Sequence, residues 1–395
     1  VNTNALTPDA RSDVQLQIKI PLLRGWGTEA ANVNELAAKS ALISTREFAR
    51  HDVADRVAQT TAAYWSMRAS MQTLRILRES EERALTLSQQ LEDMVRVGEI
   101  EAAILQEANA DLLRRRGDVV GANLSVEINW QRLAAVMGLS PNEVGPPPPI
   151  SSEFPEVPSA FDWKQTTGLY FVNMALEHRG DYRAVVQNKD TGHILLRKAL
   201  NDLRPGLDLK LRAGYRGLTR NTAQLGLFNS LTENTAGPSG EIALEFDWPV
   251  ANRSAKGEVG RRRSLVRENE LSIQDLANGI SAETRIAYAT LKAAAAQYSV
   301  AQGTVAAFST VVANIRRKVN TGEASITALV QNEDRAVQAQ QALIGATRNF
   351  ASALVELRRV TGTLVAEDTS EFQMQITNLV TLPPLPSLSP ESDTP

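Results

Sequence analysis

The chain reads as mainly α-helical with a small antiparallel β part, assembled from two strand–long-helix–hairpin repeats. Three observations point there. First, Ile273, Leu276, Ile280, Ala287, Leu291, Ala294, Tyr298, Ala301, Val305, Phe308, Val312, Ile315 and Val319 recur in steps of three and four with one step of seven, a heptad-like seam. A helix of about 70 residues carrying that seam is roughly 105 Å long, beyond an ordinary globular domain. Second, two short runs alternate with period two. Val14, Leu16, Ile18 and Ile20 face away from Gln15, Gln17 and Lys19, and Ile242, Leu244, Phe246 and Trp248 face away from Glu241, Glu245 and Asp247. Third, the pattern occurs twice. Gly98 to Gly138 repeats as Gly322 to Gly362 at an offset of 224, and Ala63-Tyr64 meets Ala287-Tyr288 at the same offset. Val14 to Pro21 falls on Ile242 to Pro249 at 228, and the four-residue difference is about one helical turn.

In chain order, residues 1–12 are polar and unpatterned. A strand is expected over 13–21, broken by Pro21-Leu-Leu-Arg-Gly-Trp-Gly27. A long helix follows over 28–97, with Leu36, Phe48, Val53, Val57, Tyr64, Met67, Met71, Leu74, Leu77, Leu91 and Val95 on its apolar face. Gly98 reverses it, and a return helix spans 102–137, completing a first repeat over 1–138. Residues 139–164 form a Pro-rich linker whose Gly145-Pro-Pro-Pro-Pro149 is extended backbone. The second repeat, 165–362, opens with a helix over 165–203, interrupted near Arg179-Gly180. Strands at 207–215 and 241–249 follow, separated by a loop rich in Gly, Asn, Thr and Ser. A long helix over 251–320 and a return helix over 324–361 complete it. The tail, 363–395, is polar and partly disordered from about Pro383.

Composition excludes several function classes. The net charge of −3 over 395 residues argues against a nucleic-acid partner. Cysteine is absent, so there is no disulfide, thiol nucleophile or thiolate metal site, and His51, His178 and His193 are too scattered for a metal cluster. No nucleophile–base pair, phosphate loop or metal constellation is present, so no enzymatic activity and no cofactor are expected. No apolar run is long enough for a transmembrane helix, which leaves a β-barrel or an amphipathic surface for any membrane role.

Short two-faced strands cannot stand alone beside helices of this length. Their apolar face must cover a core or meet lipid, and lipid outside with water inside is the transmembrane barrel pattern. Two or three strands cannot close a barrel, so closure requires an oligomer. On periodicity alone, the helical seams fit a soluble coiled-coil rod equally well. The duplicated alternating strands decide against that rod.

At this point the residues resemble the TolC family of outer-membrane efflux channels. Ile20-Pro-Leu-Leu-Arg-Gly-Trp26 and Phe246-Asp-Trp-Pro-Val-Ala-Asn-Arg253 resemble the family's strand-to-helix transitions. Ala175-Leu-Glu-His-Arg-Gly-Asp-Tyr182 is similar to a family segment in which proline stands where Gly180 is here. Leu203-Arg-Pro-Gly-Leu-Asp-Leu209 resembles the entry to the second-half strands, and Arg96-Val-Gly-Glu99 and Asn320-Thr-Gly-Glu323 resemble the periplasmic hairpin tips. The resemblance spans roughly residues 13–362. It implies a homotrimer in which an outer-membrane β-barrel continues as an α-helical periplasmic tunnel. It also implies a passive exit duct for efflux or type I secretion, working with a periplasmic adaptor and an inner-membrane transporter. The other readings are a structural coiled-coil stalk, which needs no lipid-facing strands, and a self-contained porin, which needs no such helices. The family fold takes four strands from each protomer and this chain shows three. Nine strands would force a parallel junction in each protomer, so a further ascending strand is expected upstream of Val1.

The resemblance assigns adaptor contact to Val97, Gly98, Glu99, Thr321, Gly322 and Glu323; the alternative is that both glycines are only helix caps. An acidic ring six and nine positions after the second tip glycine would fall on Ala328 and Gln331, so it is absent. Glu92, Asp93 and Arg96 in the first hairpin and Arg316, Arg317 and Lys318 in the second are expected to pair between helices and hold the tip closed, or else to be solvated surface charge. Leu16, Ile18, Ile20, Leu209, Leu211, Leu244, Phe246 and Trp248 are expected to face lipid. Trp26 and Trp248 fit an interfacial aromatic belt. Trp130 reads as helix packing. Arg114 to Arg116 and Arg261 to Arg263 suggest basic patches, and solvated helix faces fit them better.

Overall fold

A computed structural model describes residues 10–149, 152–158, 168–219, 237–366, 372 and 374–384. In chain order the elements are β1 (Ala10–Pro21), α1 (Thr28–Ala31), α2 (Val33–Arg96), α3 (Ala102–Met137), α4 (Gly168–His178), α5 (Gly180–Asn201), β2 (Gly206–Thr219), β3 (Gly237–Asp247), α6 (Arg253–Asn320) and α7 (Ile326–Val360), then a 3₁₀ turn at Ile376–Leu379. The expected elements are present. The helix expected from residue 28 is interrupted at Asn32, whose carbonyl accepts from Leu36 N–H at 2.9 Å, so α2 starts at Val33. The expected break near Arg179 separates α4 from α5. Residues 1–9, most of the loop after β2 and the tail from 385 lie outside the described residues, as do the expected helix start at 165–167 and part of the linker.

The chain forms two compact units, one from 1–45 and 184–274, the other from 46–183 and 275–395. The first holds an antiparallel sheet in the order β1-β2-β3, so the two strands related by the internal repeat flank one central strand. The ladder between β2 and β3 ends at Gly206↔Asp247. Pro205 and Pro249 lie just beyond that pair and have no N–H to continue it. Trp248 therefore sits past the strand, not in it as expected. The helical part of this unit packs through small polar contacts. Ser44 Oγ donates to the Ala184 carbonyl at 3.1 Å, and Gly192 leaves room for Val266. Asn252, at φ +38°, makes the bend into α6 and donates to the Leu203 carbonyl at 3.3 Å.

The second unit contains two helical hairpins, α2/α3 and α6/α7, with α4. One core joins Phe171, Ala287, Leu291, Phe350, Leu354 and Leu357, and another joins Met67, Leu74, Leu77, Val126, Trp130 and Leu133. Every α6 residue of the predicted seam is buried or half-buried. On α2, Leu36 and Phe48 depart from expectation and are exposed. Trp130 is buried and its Nε1 donates to the Gly145 carbonyl at 2.7 Å, fixing the described part of the linker. The segment after Gly362 is not simply polar. Leu364 and Val365 are buried, and the Arg358 guanidinium donates to the carbonyls of Thr381 (2.7 Å) and Leu382 (2.6 Å).

Candidate functional site: the hairpin turns and the two-faced sheet

The four glycines that defined the repeat perform one backbone task. Gly98, Gly138, Gly322 and Gly362 have φ of +77°, +76°, +75° and +70°. Each closes a Schellman cap with the same bond pair. At the first turn Gly98 N–H donates to Val95 and Glu99 N–H to Met94, both at 3.0 Å. At the second, Gly322 N–H donates to Val319 at 3.1 Å and Glu323 N–H to Lys318 at 2.8 Å. Leu139 and Thr363 close the other two caps, donating to Ala134 and Arg358. The turns differ where the return helices begin. Ser325 caps α7, its side chain accepting from Ala328 N–H at 3.2 Å, whereas Glu101 at the matching position of α3 makes no such bond.

All six expected contact residues, Val97, Gly98, Glu99, Thr321, Gly322 and Glu323, are exposed. A groove of about 1080 Å³ runs between the hairpins beside them, with Leu91, Met94 and Ile104 on one wall and Val319, Ile326 and Leu329 on the other. The expected cross-hairpin charge pairing is not what a single chain shows. Arg96 pairs with Asp93 at 2.8 Å within its own exposed helical turn, an interaction worth under ~1 kcal/mol. Arg317 bonds Asn314 of its own helix. Among the described residues Glu92 and Lys318 have no ion-pair partner, and both lie on exposed helix faces. Arg316 alone bridges two helices, reaching buried Glu333 of α7 at 2.6 Å.

Two charged networks escaped the sequence reading. Arg115, expected to be solvated, is only 3% exposed. It donates to Asp111 at 2.6 Å, approaches Asp334 of α7 at 3.0 Å and bonds Ser80 of α2, so it joins three helices. Its spacing of four from Asp111 was the available signal. The second network explains the Ala175–Tyr182 segment. Arg179 pairs with Asp181 (2.9 Å) and with Glu283, while Arg359 pairs with Glu283, Asp55 (2.9 Å) and Glu356 (2.7 Å). Burial alone would push the Glu283 carboxyl up, but hydrogen bonds from Arg179 and Arg359 outweigh it and hold it below the usual range. The Arg359 guanidinium is pushed up, chiefly by its bond to Glu356. A side chain on Gly180 would meet the Glu47 carbonyl oxygen at 2.4 Å, and one on Gly362 the His178 carbonyl carbon at 2.6 Å. These close approaches seat the α4–α5 break.

The sheet in the first unit has two opposite chemistries. Strand register places Leu16 opposite Ala213, Ile18 opposite Leu211 and Ile20 opposite Leu209, then Leu209 opposite Leu244, Leu211 opposite Ile242 and Leu207 opposite Phe246. One face is thus apolar rung by rung, yet it is not covered. Leu16 is 68% exposed and Leu244 65%, and Phe246 and Trp248, their rings 6.1 Å apart, are exposed as well. The other face is an ion-pair ladder. Arg216 meets Asp13 (3.4 Å), Lys19 meets Asp208 (2.8 Å), Arg212 meets Glu241 (3.0 Å), Lys210 meets Glu245, and Arg24 at the sheet's end meets Asp247 (3.2 Å). Lys19 stands directly opposite Lys210, and Asp208 opposite Glu245. Diagonal reach converts these like-charge rungs into pairs.

Among the described residues no helix is long and apolar enough to cross a membrane, and no group of His, Asp and Glu could hold a metal. The family model described as outer membrane efflux protein matches residues 171–363. No curated protein sequence matches the chain. Solved structures do. The CmeC outer membrane channel of Campylobacter jejuni is 14% identical with a TM-score of 0.64, over 91% of this chain and 78% of that one. The outer membrane protein VceC of Vibrio cholerae is 14% identical with a TM-score of 0.63, over 91% and 88%. The open state of the Neisseria gonorrhoeae MtrE outer membrane channel is 13% identical with a TM-score of 0.64, over 91% and 81%. These likenesses establish the fold of such channels, and residues 171–363 match the outer membrane efflux protein family model.

Proposed function

We propose that the chain is the outer-membrane exit duct of a tripartite efflux or type I secretion system, a passive conduit for substrates energised by an inner-membrane transporter. It has no enzymatic role. The observation that carries this reading is the sheet, whose apolar face runs across three strands and is not covered, while its reverse carries ion pairs along its length. Water does not tolerate so regular an exposed apolar face, whereas lipid requires it. Leu16, Ile18, Ile20, Leu209, Leu211, Leu244 and Phe246 then contact outer-membrane lipid, with Trp248 at the interface. A coiled-coil stalk has no use for such a face.

Closure comes from copies of the chain, a homotrimer in this reading. Support lies on the helices of the second unit. α6 exposes Ala282, Ile286, Ala289, Ala293, Ala296, Val300, Gly303 and Ala307, a heptad stripe of small and apolar residues. α3 exposes a bulkier stripe, Leu113, Val120, Leu124 and Ile128. At 100° per residue each stripe lies roughly 150–170° around its helix from the seam that is already buried. Helices with apolar seams on nearly opposite sides form a single-layered wall, not a bundle. The two repeats, 1–138 and 165–362, supply two such wall segments around the linker at 139–164. The hairpin turns carry the contact with a periplasmic adaptor, seated at Val97–Glu99, Thr321–Glu323 and the groove between them. The decisive experiment is to purify the protein from outer membranes, size it and record single-channel conductance. A stable trimer with discrete conductance is expected, and a non-conducting monomer would overturn the reading.

A further inference from the structure

We infer that the three-stranded wall carries no charge filter, so permeant ions and substrates pass this part of the conduit without selection by sign. The inference rests on the reading that the sheet's polar face lines the conduit. Its basis is stoichiometric. The described side chains of that face and its lower end present five cations and five carboxylates, each cation paired with one carboxylate. The pairs are spread from the Arg216–Asp13 rung at one end to Arg24–Asp247 at the other, so among the described side chains no level between them has an unbalanced charge. Gln15, Gln17, Gly214, Ser239 and Ala243 occupy positions between these pairs and are neutral. A single-sign lining would focus a potential of several kT along the passage. Paired opposite charges a few ångströms apart cancel within a Debye length of about 8 Å.

The consequence is that selectivity lies one substitution away in either direction. Arg212→Gln leaves Glu241 unpaired and should shift the reversal potential across a salt gradient toward cation preference, changing the permeability ratio about twofold or more. Glu241→Gln should shift it toward anion preference, and the double variant should return to the wild-type value. A merely structural role for the pair would not yield opposite signs with restoration. Absence of any shift, or shifts of the same sign, would overturn the inference. A second measurement needs no open channel. The chain has no cysteine, so Gln15→Cys offers a single thiol on the polar face. Cationic and anionic methanethiosulfonates, normalised to a free thiol, should modify it at similar rates. A preference of about tenfold or more would overturn the inference. Failure of the wild type to conduct would strike at the channel reading and leave the labelling result to decide the charge balance.

Discussion

At the residue scale, identical glycine caps carry very different loads. Gly98 and Gly362 share a left-handed φ, but a Cβ on Gly98 would have nothing within 4 Å of it, whereas one on Gly362 would run into the backbone of His178 and Arg179. Gly98→Ala should cost about 1–2 kcal/mol for the backbone alone. Gly362→Ala should add a further ~1–3 kcal/mol for overpacking, which paired denaturant titrations would resolve. Equal losses would show that the Gly362 approach relaxes freely. Glu283 sets a pH limit. Its folded-state pKa is depressed, so its stabilisation is present above the unfolded value and is lost as pH falls through the folded one. Thermal melts should show a drop on acidification that Glu283→Gln flattens, and an unchanged acid limb in that variant would dismiss the carboxylate's part. None of this was legible in the sequence. The glycine spacing marked where helices end, but it could not say what packs against each end.

At the element scale, period and punctuation were sufficient. The seam on α6, the three strands and both reversals could be read because a buried helical face must repeat every three to four residues and a two-faced strand every two. What stayed hidden was which charges meet across helices. Arg115 lay in an arginine run that looked solvated, and Glu333 attracted no notice, because ion-pair partners on different helices leave no trace in local spacing. Arg115→Ala should cost about 1–3 kcal/mol, since it removes a buried guanidinium and leaves the Ser80 hydroxyl without its partner, while Arg114 still holds Asp111 and Asp334. Arg96→Ala, at an exposed pair, should change stability by less than ~1 kcal/mol. Calorimetry on the two variants would compare them, and similar melting temperatures would contradict the structural ranking.

At the scale of the whole molecule, the internal repeat organises more than topology. It puts two equivalent strands on either side of β2 and two equivalent hairpins in the second unit, and it leaves apolar surface that one chain does not cover. The strand face and the helix stripes make separable demands. Leu244→Arg should lower membrane insertion by about 2–4 kcal/mol if the site lies at mid-bilayer depth. It would be read as loss of protein from the outer-membrane fraction. Val300→Glu with Leu124→Glu should instead leave the chain folded but smaller by light scattering in detergent. Normal insertion of the first variant would remove the lipid-facing role, and an unchanged mass for the second would remove the stripes from the subunit contact.

The unequal caps at the two turns bear on time. The first-turn amides of α7 have a side-chain acceptor in Ser325, while those of α3 have none from Glu101. Helix starts without a cap fray more readily. Deuterium should therefore enter Ala102–Leu105 faster than Ile326–Leu329, and Ser325→Ala, at a cost of about 1 kcal/mol, should bring the two rates together. Two hairpins with the same backbone turn thus breathe at different rates, and the first loosens before the second.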